Sequence, residues 1–191
     1  MNLKSDDLCV SLGRVQGIKI WEHKTFPDNR GRLSKVYALD IPNLGGVAFE
    51  TFEHFFTYSH INVFRGMHLQ AGAHPTSKII SLVSGKATDF LLDIRQDSAT
   101  FGKLHIEELE DSNPKSIYIP EGVAHGYISM SESTIISYRQ ERAFCASCDS
   151  GISSNLISDY LPFALSDLVL SDRDANLSSS VENAILGLPH S

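Results

Sequence analysis

The densest chemistry-bearing stretch of the chain is Ser59-His60-Ile61-Asn62-Val63-Phe64-Arg65-Gly66-Met67-His68-Leu69-Gln70, followed by His74 and Lys78. A histidine titrates near neutrality and can serve as base, acid or metal ligand. A neighbouring carboxylate can fix its tautomer. Arginine offers a planar fork suited to a phosphate or carboxylate. In an extended strand His68 and Gln70 fall on one face. A second dense stretch, Pro120-Glu121-Gly122-Val123-Ala124-His125-Gly126-Tyr127, sets His125 behind a Pro-x-Gly turn. The third, Cys145-Ala146-Ser147-Cys148, is a CxxC. A zinc tetrad needs a second pair and a thioredoxin-like site needs a βαβ setting, so this motif reads as incidental.

The elements that must position these residues read as strands. Apolar residues alternate in period two, the pattern of strands with a buried face. The runs are Gly17 to Phe26, Val47 to Tyr58, Ser77 to Val83, Ala87 to Ile94, Leu104 to Leu109, Ser116 to Ile119 and Thr134 to Tyr138. Turn signals separate them: Asp28-Asn29-Arg30-Gly31, Ser84-Gly85-Lys86, Asp111-Ser112-Asn113-Pro114 and Pro120-Glu121-Gly122. Short strands with no interposed helices predict an antiparallel sandwich or barrel. From about Gly151 the chain turns serine-rich, with a helix possible within Leu156 to Leu170 and a short one at Val181 to Leu186. Residues 17–150 are expected to form the barrel and 151–191 a C-terminal cap, together one domain.

Length and charge bound the rest. At 191 residues the chain fits one domain, given roughly 100–200 residues per domain. With 42% hydrophobic residues it can bury a core without disulfides or metal. A formal net charge of −7 argues against nucleic acid and against an anionic membrane surface as partners. It leaves room for a small anion, because a few arginines can gather in one pocket. The acidic start Asp6-Asp7 lacks the basic-then-apolar pattern of a signal peptide, no apolar stretch has membrane-spanning length, and an odd cysteine count fits a reducing compartment. The expected location is the cytoplasm.

The segment Pro-x-Gly-x-x-His resembles the second half of the cupin signature, in which the turn aims a histidine into a barrel mouth. A metal cupin also needs His-x-His and a glutamate soon after. His68 and His74 are too far apart for that, and no glutamate follows. In register, further blocks resemble the dTDP-4-dehydrorhamnose 3,5-epimerase family of metal-free cupins. They are Phe26-x-Asp28-x-Arg30-Gly31, then Arg65 to Gln70 with Lys78 ten residues past the histidine, then Gly85, Asp89, Asp93-Ile94-Arg95 and Ser98-x-Thr100-Phe101-Gly102. Pro120 to Tyr127, Tyr138-Arg139 and Leu170-Ser171-Asp172-Arg173-Asp174 complete the set. The likeness spans about Gly17 to Asp174.

The resemblance implies a mainly β fold, a cupin jelly-roll barrel with short C-terminal helices. It implies an epimerase inverting C3, C5 or both in a nucleotide-diphosphate-linked 4-keto-6-deoxy sugar, as a homodimer exchanging strands, in a pathway feeding a surface polysaccharide or glycosylated metabolite. No cofactor and no metal are expected. By the same resemblance His68 is the base, oriented by Asp174. Asp172, two residues earlier, is the competing carboxylate. Lys78 stabilises the enolate oxygen, and Tyr138 is the acid on the opposite face. Arg30, Arg65, Gln70 and His125 bind substrate. Taken alone, Arg30 would read as a surface charge, Tyr138 as core and Lys78 as a solvated strand residue.

The chain departs from the family pattern around that set. Glu53 and Phe55 stand where a glutamine and an asparagine are usual, and Phe144 replaces a second tyrosine. Ser154, Leu156, Arg32 and Lys35 replace a tryptophan, an aspartate, an aromatic and a glutamate. These changes suggest a different nucleotide sugar (dTDP, CDP or GDP) or inversion at one position. Competing readings are a nucleotide-sugar 3,4-ketoisomerase, a non-catalytic sugar-binding cupin and a metal-dependent oxygenase.

Overall fold

The computed structural model describes residues 8–36 and 48–186. In chain order its strands are β1 (Ser11–Leu12), β2 (Lys19–Glu22), β3 (Lys24–Asp28), β4 (Gly31–Lys35), β5 (Glu53–Ser59), β6 (Phe64–Gln70) and β7 (Lys78–Ser84), followed by β8 (Lys86–Asp93), β9 (Lys103–Glu110), β10 (Lys115–Ile119), β11 (Val123–Ser129), β12 (Thr134–Gln140) and β13 (Asp149–Gly151). Two short helices, α1 (Asp172–Ala175) and α2 (Val181–Leu186), close the C-terminal part. One sheet runs β1-β9-β8-β11-β6-β13 and the other β2-β10-β7-β12-β5, while β3 and β4 pair only with each other. Except for parallel β1 and β9, neighbouring strands are antiparallel. This is the expected mainly β jelly roll.

Alternation decides what faces inward. On β7, Ile80 and Leu82 join the core between the sheets, while Ile79 packs outside with Trp21. Lys78 shares the inner face of Ile80. On β8, Ala87 and Leu91 face the barrel interior, whereas Phe90 and Leu92 face a second core. That second core lies under the C-terminal segment, where Ile152, Ile157, Leu168, Val181 and Ala184 cover Phe64, Met67 and Leu69 of β6. Residues 151–186 thus pack against the outer face of the six-stranded sheet.

The helix expected within Leu156 to Leu170 is instead two 3-10 segments, Ser154–Tyr160 and Leu165–Asp167. Pro162 ends the first of them, since the residue before a proline is pushed into extended backbone, and Leu161 has φ −78° and ψ 142°. The start of the Val47 to Tyr58 run lies outside the described residues, and its strand begins at Glu53. Two strands that alternation did not single out, β6 and β11, carry the histidine motifs. Gly66 and Gly126 let them approach. A Cβ on Gly66 would lie 2.5 Å from the Gly126 Cα, and one on Gly126 would lie 2.9 Å from the Arg65 carbonyl oxygen. The register that results sets His125 opposite His68.

Candidate active site

Four strands send polar side chains to one end of the barrel interior. His68 and Gln70 come from β6 and His125 from β11, in the six-stranded sheet. Lys78 comes from β7 and Tyr138 from β12, in the five-stranded sheet. All five line one cleft, with Phe55, Thr57, Arg65, Gln140, Phe144, Asp149 and Arg173. His68 and Tyr138 thus stand on opposite walls. Lys78 bridges them, its Nζ donating to the His68 carbonyl oxygen at 3.4 Å.

The carboxylate on His68 is Asp174, with Nε2 to Oδ1 at 2.6 Å. The Ser171 hydroxyl caps α1 by accepting from the Asp174 N–H, and the Gly66 N–H donates to Asp174 Oδ2 at 3.4 Å. Asp174 is buried and Asp172 exposed, which settles which of the two carboxylates faces the site. Burial disfavours the Asp174 anion, but the bond and charge of His68, the Gly66 N–H and Arg173 outweigh it and hold the carboxyl below its ordinary range. Such a carboxylate accepts a hydrogen bond from the Nε2–H of neutral His68, leaving Nδ1 as the basic atom. Burial also pushes the His68 imidazole down. Asp174 resists, and Arg173 and Lys78 add to the lowering. His68 is therefore neutral, the form a base needs.

Lys78 is buried, and burial lowers its pKa to about 8 against the pull of Asp149 and Asp89. Tyr138 stacks face to face on Phe55, ring centroids 5.1 Å apart, and its ring lies 5.8 Å from His125. Burial raises the Tyr138 hydroxyl well above its ordinary value, so it keeps its proton. His125 Nε2 is 2.7 Å from Asp89 Oδ1, and Asp89 Oδ2 is buried without a hydrogen-bond partner among the described residues. Arg65 is fixed by uncharged groups, donating to Ser59 Oγ at 2.9 Å and to the Tyr58 carbonyl at 3.1 Å.

Two expected ligand residues stand elsewhere or act otherwise. Arg30 sits on the β3–β4 hairpin, apart from the cleft, with its exposed guanidinium on Asp28 at 2.5 Å. Gln70 lines the cleft, but its amide is spent on backbone: Nε2 donates to the carbonyls of His74 and Ala143, and Oε1 accepts from the Cys145 N–H at 2.8 Å. Sequence reasoning gave no role to Arg173, Asp149 or Thr57. Arg173 lies 3.2 Å from His68 Nε2 and pairs with Asp149 at 2.8 Å. Its position just before Asp174 in the late motif was the available signal. The CxxC is joined as a disulfide, Cys145–Cys148, and its loop runs between two cleft residues, Phe144 and Asp149.

A family model described as dTDP-4-dehydrorhamnose 3,5-epimerase matches residues 13–182. The chain belongs to this family. A dTDP-4-dehydrorhamnose 3,5-epimerase of Methanothermobacter thermautotrophicus is 28% identical, over 90% of this chain and 94% of that one. The crystal structure of the enzyme of that name from Elizabethkingia anophelis superimposes with a TM-score of 0.80 at 28% identity, covering 92% of this chain and 98% of the other. The Bacillus anthracis enzyme, solved with TDP and PPi bound, gives a TM-score of 0.77 at 27% identity over 86% and 97%. The chain is accordingly a sugar epimerase, an isomerase of deoxysugar synthesis on a cupin fold. No helix among the described residues is long and apolar enough to cross a membrane.

Proposed function

We propose that the cleft epimerises a nucleotide-diphosphate-linked 4-keto-6-deoxy sugar, inverting C3, C5 or both. The carbonyl at C4 acidifies the hydrogens on its two neighbours. His68 Nδ1 removes one of them. Charge develops on O4, where protonated Lys78 meets it as it forms. Tyr138 returns a proton to the carbon from the other face, so the centre inverts; return from the same face would regenerate the starting sugar. Asp174 holds the His68 tautomer and favours the imidazolium that proton uptake creates. His125 lines the sugar pocket and Arg65 grips the diphosphate. The observation that carries this reading is the His68–Asp174 pair at 2.6 Å, facing Tyr138 across a cleft that Lys78 spans. The names of the relatives favour dTDP as the nucleotide.

The test is proton NMR in deuterated water with a dTDP-linked 4-keto-6-deoxy sugar and no added metal. Deuterium entering C3 or C5, and none with His68→Ala, is the expected result. Tight binding without exchange would favour a non-catalytic sugar-binding module, and carbonyl migration would favour a ketoisomerase. A second reading, inversion at one position, rests on Phe144, which lines the cleft without a hydroxyl. Exchange at both carbons eliminates it.

Arg30 fits the reaction through a homodimer. The β3–β4 hairpin joins neither large sheet and exposes Phe26 and Leu33, while the five-stranded sheet exposes Phe56, Tyr58 and Val83. A second copy docked there could bring its own Arg30 to the diphosphate. Sedimentation should give a dimer, weakened by Leu33→Asp, and Arg30→Ala should raise KM more than it lowers kcat.

A further inference from the structure

The loop between β6 and β7 brings His74 to the CxxC turn, so that His74, Cys145 and Cys148 offer three metal-binding atoms within 4.8 Å of one another. The CxxC has no second pair in sequence; His74 comes to it from 71 residues away. Three bonds hold the two loops in register independently of the sulfur atoms. Gln70 Nε2 donates to the His74 carbonyl at 3.2 Å, Gln70 Oε1 accepts from the Cys145 N–H at 2.8 Å, and the Ala71 N–H donates to the Cys148 carbonyl at 2.9 Å. The turn itself is closed by the Cys148 N–H on the Cys145 carbonyl at 2.9 Å. Two thiolates and an imidazole form a soft donor set that suits zinc, and C-x-x-C is zinc-ligand spacing. Tetrahedral zinc, with bonds of about 2.3 Å to sulfur and about 2.0 Å to nitrogen, needs its donor atoms about 3.6–3.8 Å apart. The three donors already lie within 4.8 Å of one another, and breaking the Cys145–Cys148 bond frees the two sulfur atoms to part to that spacing.

We propose that, in its dithiol state, this protein binds one zinc ion through His74, Cys145 and Cys148, with solvent as fourth ligand. The disulfide and the zinc site are alternative states of the same pair. A dithiol reductant gives two electrons and two protons to the Sγ–Sγ bond, leaving two thiols and its own cyclic disulfide. Zinc then displaces the two thiol protons to solvent. The site is separate from the epimerisation chemistry and does not rest on that reading. It would tie the β6–β7 loop to the turn flanked by Phe144 and Asp149, two residues of the cleft wall.

The test uses the full chain, freed of metal and reduced anaerobically with a water-soluble trialkylphosphine, which becomes the phosphine oxide by taking oxygen from water. Cobalt(II) is titrated in as an optical probe. Expected are a thiolate-to-cobalt charge-transfer band and strong four-coordinate visible bands, saturating at one metal per chain and erased by zinc. Cys145→Ser and Cys148→Ser should lose the charge-transfer intensity, while Cys9→Ser keeps it. Outer-shell partners alone change metal affinity by about tenfold or more, so His74→Ala, at an exposed position, should weaken zinc binding by at least that much. Absence of the band when a thiol count shows both cysteines reduced would overturn the proposal. So would a band that survives in the two serine variants.

Discussion

Lys78→Met separates what the buried lysine does for the reaction from what it does to the fold. Burial brings the Lys78 pKa from 10.5 to about 8. Between those values the unfolded chain holds a proton that the folded chain has released, so wild-type stability rises with pH across that window. Below pH 8 the folded protein carries the charge at a cost of about 3 kcal/mol, at about 1.36 kcal/mol per pKa unit. Methionine fills the space of the side chain's stem and removes the titration. The variant should therefore be more stable than wild type by about 3 kcal/mol at pH 7 and by about 1 kcal/mol at pH 9.5, with no gain left above pH 10.5. Its rate should fall by about 10²–10³, the loss expected when a donor to a developing oxyanion is removed. Urea unfolding at both pH values, at one protein concentration, gives the first pair of numbers; deuterium incorporation gives the rate. A gain equal at the two pH values, or a loss of stability at pH 7, would refute the electrostatic argument. Turnover within a few-fold of wild type would remove Lys78 from the enolate.

The wild-type pH profile should be bell-shaped, rising as His68 loses its proton below the ordinary 6.5 and falling through about 8 as Lys78 loses its own; kcat/KM against pH reads both limbs. Asp174→Asn should lower kcat by about 10²–10⁴. It should also shift the acidic limb to lower pH, because Asp174 is what raises His68. Gly126→Ala places a Cβ 2.9 Å from the Arg65 carbonyl oxygen and the Met67 sulfur. The overpacking should cost about 1–3 kcal/mol in a denaturant melt, and the His125–His68 register should suffer with it.

The strands that carry plain apolar alternation, β7, β8, β9, β10 and β12, were legible because each buries an apolar face. The two that carry the histidine motifs were legible only as motifs. Gly66, Gly126 and the polar residues around them interrupt the alternation, for the same reason that lets the strands approach. The motif blocks also divide by physical role in a way spacing does not reveal. Asp93 accepts from Arg95, Ser98 and Thr100 and braces a turn outside the cleft, whereas Asp89, four residues earlier on the inner face, reaches His125. Phe55 and Phe144 were visible as departures from the family pattern. Their placement, one stacked on Tyr138 and the other held by its N–H on Glu53 Oε2, depends on pairings across the sheet. Arg173 was visible in sequence only as the neighbour of Asp174; its pairing with Asp149, 24 residues away, appears only in the fold.

The charge of the chain takes its functional meaning from how the cleft distributes it. Each carboxylate in or behind the cleft faces its own base or cation: Asp174 meets His68, Asp89 meets His125, and Asp149 meets Arg173. Lys78 lies within the field of two of them, which is why it keeps a proton at neutral pH despite burial. Inside, then, the charges are largely answered, and the pocket suits an uncharged sugar ring whose one anionic moment is the enolate beside Lys78. Arg65 differs. It is exposed, its hydrogen bonds go to a hydroxyl and a carbonyl, and no carboxylate among the described residues pairs with it. In the proposed mode of binding a diphosphate meets that guanidinium, with the nucleotide outward and the 4-keto sugar between His68 and Tyr138. An acidic surface does not oppose this entry at physiological ionic strength, where charges beyond about 8 Å are screened. Selection for a diphosphate then falls, in the proposed mode of binding, to Arg65 at the mouth, joined in the proposed homodimer by the second copy's Arg30.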